Sequence, residues 1–143
     1  MGSFILKDAE VLIGEGSTEV DLSDHVQQVQ FNYMADLKEE QAMGDLTKIR
    51  LAGLLDWNIV VTFKQDFAAG EVDATLFPLV GAAAFRVAIK PVASDSTGAT
   101  NPRFEGNAVI ESYPPLGGNH GDLATAQVTF QSAGTLSRST SDV

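Results

Sequence analysis

The feature that most constrains this chain is a two-residue alternation of apolar and polar side chains, repeated in short runs between turn-forming segments. Successive side chains on a strand point to opposite faces, so each run buries one face and turns the other to water or to a polar partner. The alternation is clearest from Asp56 to Gln65. There Trp57, Ile59, Val61 and Phe63 share one face, Asp56, Asn58, Thr62 and Lys64 share the other, and Val60 is the exception. β-Branched and aromatic residues dominate the run, as a half-buried pleated surface favours. Trp57, Ile59, Val61 and Phe63 are therefore expected to form the sheet core.

Other runs read the same way. Val26 to Met34 sets Val29, Phe31 and Tyr33 against Gln28, Gln30, Asn32 and Met34. Ala84 to Lys90 sets Phe85, Val87 and Ile89 against Arg86 and Lys90. Leu123 to Gln131 sets Ala124, Ala126, Val128 and Phe130 against Thr125, Gln127, Thr129 and Gln131. Asp8 to Ile13, Lys48 to Leu51, Arg103 to Tyr113 and Gly134 to Ser139 are weaker strands. Gly14–Ser17, Ala93–Asn101 and Pro114–Gly121 carry the turn formers that separate them.

Two segments depart from this period. Glu71 to Val80 reads as a helix, with Glu71 and Asp73 in its first turn, where the helix dipole favours negative charge. Val72, Leu76 and Leu79 share its apolar face and are expected to pack on the core. Gly81 stops the helix and Pro78 weakens its last turn. Ala35 to Thr47 has few apolar anchors. It is expected to be a polar loop or the tip of a long hairpin, carrying Asp36, Lys38, Glu39, Glu40, Gln41 and Asp45. A helix over Ala35–Ala42 is the rival reading.

The fold class that follows is mainly β: a sandwich or barrel of about seven to eight strands, one short flanking helix and a long polar hairpin. The 143 residues are expected to form one domain, residues 1–143, with residues 137–143 frayed. No apolar run reaches the roughly 18 residues that span a bilayer. Met1 to Lys7 lacks the pattern of a secretory signal.

Chemistry is hard to find in the sequence. Cysteine is absent, which excludes disulfides and thiol catalysis. His25 and His120 lie far apart and show no metal-ligand spacing, and Asp24 and His25 are expected to point apart as strand neighbours. The acid pairs Glu39–Glu40 and Glu105–Glu111 read as solvated surface rather than a glycosidase pair. Asp21, Asp24 and Asp45 supply oxygens but no EF-hand spacing. Catalytic, cofactor-binding and metal residues are expected to be none, and no cofactor is required. The net charge of −10 disfavours nucleic-acid binding, which rests on neutralising phosphates.

Over roughly residues 54–138 the chain resembles the major tail tube proteins of siphophages. The residues that carry this are Trp57–Asp66, Asp73–Gly81, Asn101–Gly106, Glu111–Gly118, Gly121–Thr125, Val128–Phe130 and Gly134–Leu136. The resemblance implies a structural virion protein, not an enzyme. Its copies would close into hexameric rings that stack into a tube, the conduit for DNA ejection. The tape measure protein and the tail terminator are the implied partners, and DNA is implied to pass through the lumen without specific binding. It also implies that Ala35–Thr47 reaches the adjoining ring. A related tube or baseplate protein, and a β-sandwich adhesion or carbohydrate-binding module, are the alternatives.

Overall fold

The computed structural model describes residues 4–14 and 19–140. Eight antiparallel strands and one short helix follow in chain order: β1 (Glu10–Ile13), β2 (Val20–Asp21), β3 (Val26–Glu39), β4 (Arg50–Lys64), α1 (Val72–Leu76), β5 (Phe85–Lys90), β6 (Arg103–Ile110), β7 (Thr125–Ser132) and β8 (Ser137–Ser139). They form one sheet in the order β2-β1-β5-β6-β7-β4-β3, with β8 paired to β6.

The sheet curls over on itself. β6 pairs with β7 only at its end, Ala108 to Ile110, while its beginning, Arg103 to Glu105, pairs with β8. The halves on either side of that switch face each other. Phe31 of β3 meets Phe104 of β6 edge-on at 5.1 Å, and Phe85 of β5 meets Phe130 of β7 at 6.0 Å. Between the halves lies one core built from the inward positions of five strands. It holds Val11 and Ile13, Trp57 to Phe63 at alternate positions, Val87 and Ile89, Ala108 and Ile110, and Val128 and Phe130. All four expected sheet-core residues are buried. Leu22, outside any clear alternating run, is buried with them.

Trp57 sets the spacing of the two layers. A Cβ on Gly106 of β6 would lie 2.7 Å from its ring, so only glycine lets the opposing backbone come this close. The indole Nε1–H donates to the Gly134 carbonyl at 3.0 Å, which satisfies its polar edge in the core.

Several expected boundaries shift. The helix spans Val72–Leu76 alone, and Phe77–Leu79 continue as a 3-10 turn. Pro78 has no N–H to give to the carbonyl four residues back, so the α-helical ladder stops before it. Val72 and Leu76 are fully buried and Leu79 is partly buried against the same cluster. The Ala35–Thr47 segment forms the end and tip of a long hairpin: Asp36, Lys38 and Glu39 belong to β3, and Glu40, Gln41 and Asp45 to a tip of residues 40–49. The pairs Leu37↔Ala52, Lys38↔Leu51 and Glu39↔Arg50 supply ladder hydrogen bonds that override the weak strand propensity of these polar residues. The two expected strands at Lys48–Leu51 and Asp56–Gln65 accordingly merge into one, β4, which starts at Arg50 and ends at Lys64.

Lys90, expected on a wet face, is buried. Its Nζ donates to the Asp95 carbonyl at 2.8 Å and lies 3.6 Å from Glu10. Strand β6 ends at Ile110, not at Tyr113, because Tyr113 turns back towards Gln65 and Asp73. Ser137–Ser139, at the start of the segment expected to fray, pair with β6. Glu15–Ser17 and residues 141–143 lie outside the described residues.

Candidate assembly interface

Strands β3 and β4 outrun the rest of the sheet. From Asn58 to Phe63, β4 is paired on both sides, by β3 and by β7. From Arg50 to Asp56 it has only β3, and every residue of that stretch is exposed. A two-stranded ribbon of about six residue pairs, roughly 20 Å long, therefore projects beyond the core. Such a ribbon is marginal in water by itself.

A bulge re-aims the ribbon. The pairing steps from Ala35↔Leu55 to Leu37↔Ala52, so β4 carries one extra residue opposite Asp36. Gly53 sits at this point, and a Cβ there would lie 2.9 Å from the Asp36 carbonyl oxygen. Directly paired residues share a face, which places Tyr33, Ala35, Leu37, Ala52 and Leu55 on one side of the ribbon. Leu54 is 84% exposed, Leu55 63% and Leu37 56%. At the ribbon's base, Tyr33, Leu54, Leu55, Thr135 and Leu136 line an open groove.

The tip is polar and locally satisfied. Asp45 accepts from the Ala42 N–H at 2.7 Å, Gln41 accepts from the Ile49 N–H at 3.3 Å and donates to Glu39 at 3.0 Å, and Lys48 lies 3.9 Å from Glu39. Lys38 pairs with Asp36 at 3.0 Å. The six expected loop residues thus lie together at the outer end of one hairpin. Among the described residues, strand β3 is also the end strand of the sheet and pairs only with β4, so a 14-residue edge is open to another chain.

A second polar centre lies at the other end of β4. The Gln65 side-chain amide donates to the Tyr113 hydroxyl at 2.9 Å and to the Pro115 carbonyl at 2.7 Å. The Tyr113 hydroxyl donates to Asp73 at 3.0 Å. Burial raises the Tyr113 pKa, and the negative charge and hydrogen bond of Asp73 raise it further against the opposing effect of Gln65. Three of the segments that carry the sequence resemblance, Trp57–Asp66, Asp73–Gly81 and Glu111–Gly118, therefore meet in one network.

His25 joins this end of the molecule. Its Nδ1 lies 2.8 Å from Asp24, and its Nε2 lies 3.0 Å from Asp66 and 3.4 Å from Glu71. The sequence reading set Asp24 and His25 apart as strand neighbours. They lie instead in a 3-10 turn, Ser23–His25, at the edge of β3. Burial opposes protonation of His25, but hydrogen bonds to Asp66 and Asp24 and the charges of Asp24 and Glu71 prevail and raise its pKa. The Asp66 carboxyl is held below its ordinary pKa by the Ala68 N–H first and by His25 second.

The other expected groups take local roles. Asp21 accepts from the Ser23 N–H at 2.9 Å and pairs with its hydroxyl. Glu105 binds Arg86 and lies 3.6 Å from Arg103. Arg86 and Lys90, the two basic residues of β5, are each tied to an acid. Trp57 is buried, so the single tryptophan offers no platform for a sugar ring.

No family model and no curated protein matches the sequence. Solved structures do match. A chain of the SPP1 tail tube aligns over 98% of this chain and 81% of its own, at 11% identity and a TM-score of 0.73. A chain in the tail of an empty gene transfer agent particle, refined with C6 symmetry, aligns over 94% and 98%, at 14% identity and a TM-score of 0.67. This chain has the tail-tube fold. The same fold extends to a chain of the sheath–tube complex of the PVC extracellular contractile injection system, aligned over 96% and 92% at 13% identity and a TM-score of 0.65. The tail-tube fold thus persists where little sequence is shared, which matches a core built on alternation rather than on a motif.

Proposed function

We propose that this protein is the tail-tube subunit of a long-tailed phage. Copies close into hexameric rings, and the rings stack into the conduit through which DNA leaves. The observation that carries this reading is the projecting β3–β4 ribbon, with exposed leucines on a structure too thin to bury them itself. A contiguous exposed apolar surface marks an interaction site. A second copy of the chain is the partner that also accounts for the open edge of β3. The tail with C6 symmetry and the SPP1 tail tube support the ring-and-stack arrangement by likeness of fold.

In this arrangement the leucine side of the ribbon packs on a neighbouring subunit. The polar tip at residues 40–49 reaches the adjoining ring. Tape measure and tail terminator proteins are the expected further partners, the virion tail is the site of action, and assembly takes place in the host cytoplasm. The role is structural and not enzymatic. The acid excess suits a DNA conduit, because like charge keeps a polyanion from adhering to the wall. A tube or baseplate subunit of a contractile injection system is the second reading, favoured by the comparable match to the PVC complex and to a chain of the anti-feeding prophage baseplate.

Negative-stain microscopy of the concentrated protein, with sedimentation velocity, tests the proposal. Rings or tubes of uniform diameter are the expected result. A protein that stays monomeric at every concentration, and that fails to enter tails when supplied to a phage lacking its own tube gene, would refute it.

A further inference from the structure

We propose that His25, Asp66 and Glu71 form a binding site for a divalent transition metal of the zinc class. His25 Nε2, an Asp66 oxygen and a Glu71 oxygen all lie within 4.8 Å of one another. Nε2 is 3.0 Å from Asp66 and 3.4 Å from Glu71. Ligands at about 2.0–2.1 Å from a tetrahedral zinc stand roughly 3.3 Å apart, so these separations need little adjustment to accept the ion.

The surroundings orient the ligands. The Asp24 carboxylate lies 2.8 Å from Nδ1, where it accepts the ring proton and leaves Nε2 as the free ligand nitrogen. In the ring that carries its proton on Nδ1, Nε2 faces two carboxylates, whose charge is balanced by either a second proton or a cation at that position. Asp66 is fixed on its other side: its Oδ1 accepts from the Ala68 N–H at 2.9 Å, and its carbonyl accepts from the Asp73 N–H at 3.1 Å. That leaves Oδ2 for the ion. The His25 side chain is 13% exposed and the two carboxylates 35% and 37%, so the ligands are shielded while a fourth position opens to solvent. One imidazole nitrogen and two carboxylate oxygens suit zinc or a neighbouring transition metal. Magnesium and calcium prefer oxygen alone.

Such an ion would join His25 to the short link between β4 and α1, which lies 41 residues further along the chain at Asp66. It would pin the root of the β3–β4 hairpin to the helix. The inference does not depend on the tail-tube reading and holds whatever the protein assembles into.

The test uses the whole chain, stripped with a chelator and titrated with zinc chloride by calorimetry, with unfolding followed in parallel. One ion per chain is expected. At a free zinc concentration of about a hundred times Kd, the unfolding equilibrium should shift about a hundredfold towards the folded state. Magnesium at the same concentration should do nothing. His25→Gln and Glu71→Gln should each abolish the response, whereas His120→Gln, in an exposed turn, should retain it. Cobalt bound to the wild-type chain should give the intense visible bands of a tetrahedral site, a readout that needs no variant to fold. Zinc that leaves the wild type unchanged, equal binding by Glu71→Gln, or cobalt that stays octahedral would each overturn the site and leave the cluster as a protonated ion pair.

Discussion

Three residues show most sharply how close contact is built into this fold. Gly106 admits the Trp57 ring where a methyl group would stand 2.7 Å from it. Gly106→Ala should therefore destabilise the protein by about 1–3 kcal/mol through overpacking, read from urea unfolding. An unchanged midpoint would show that the layers can part at no loss. Tyr113 links Gln65 to Asp73 through its hydroxyl, and Tyr113→Phe should remove about 1–2 kcal/mol by stranding both partners. The pH dependence has a definite sign. The folded-state pKa of Tyr113 is raised, so its contribution is complete below the unfolded value of about 10 and is lost as pH climbs through the higher folded value. Wild type should lose stability relative to Tyr113→Phe only in that alkaline range, and a gap that is constant from pH 7 to 11 would contradict this. None of these partners was legible from the sequence. Gln65 and Tyr113 are 48 residues apart, as distant a pairing as His25 with Asp66 at 41, and spacing rules detect only ligands that are close in the chain.

At the scale of elements, alternation succeeded where one face is buried and failed where neither is, or where both are, as at Ala88 and Lys90 of β5. The inward positions of β4 and β7 could be read directly because a one-residue slip would turn them all to water. The ribbon could not be read this way. Between Asp36 and Asp56 its pattern is set by hairpin pairing and a bulge, and its apolar side chains stay largely exposed. The helix was legible in position but not in length, because Pro78 ends it at Leu76. Its anchor is nonetheless firm. Leu76→Asp would bury an unpaired charge and should prevent folding, and Leu76→Ala should reduce stability by about 2–5 kcal/mol on thermal or urea unfolding. The ribbon should behave in the opposite way. Leu37→Asp combined with Leu55→Asp should leave circular dichroism and the unfolding midpoint nearly unchanged, since both side chains are exposed, yet block assembly. Loss of the fold in this variant would assign the leucines to the monomer rather than to an interface.

For the whole molecule, charge and shape point the same way. The net charge is −10, and Arg86, Lys90 and Arg103 are each engaged with acids, so no cationic face is left on those strands for a phosphate backbone. The assembled protein should not retard double-stranded DNA at physiological salt, and retention that fades steeply as salt rises would reveal a basic surface created by assembly. Assembly itself is the central claim, and one measurement reaches it most directly. A photo-crosslinking residue can be placed at Leu54 on the exposed ribbon, and because the chain lacks cysteine no disulfide can mimic its crosslinks on a gel. Irradiation of concentrated protein, resolved on a denaturing gel beside micrographs of the same sample, should give a ladder of oligomers with rings or tubes in the images. The same residue at His120 should give a markedly weaker ladder. A single monomer band from the Leu54 position, with no rings in the micrographs at any concentration, would contradict the account.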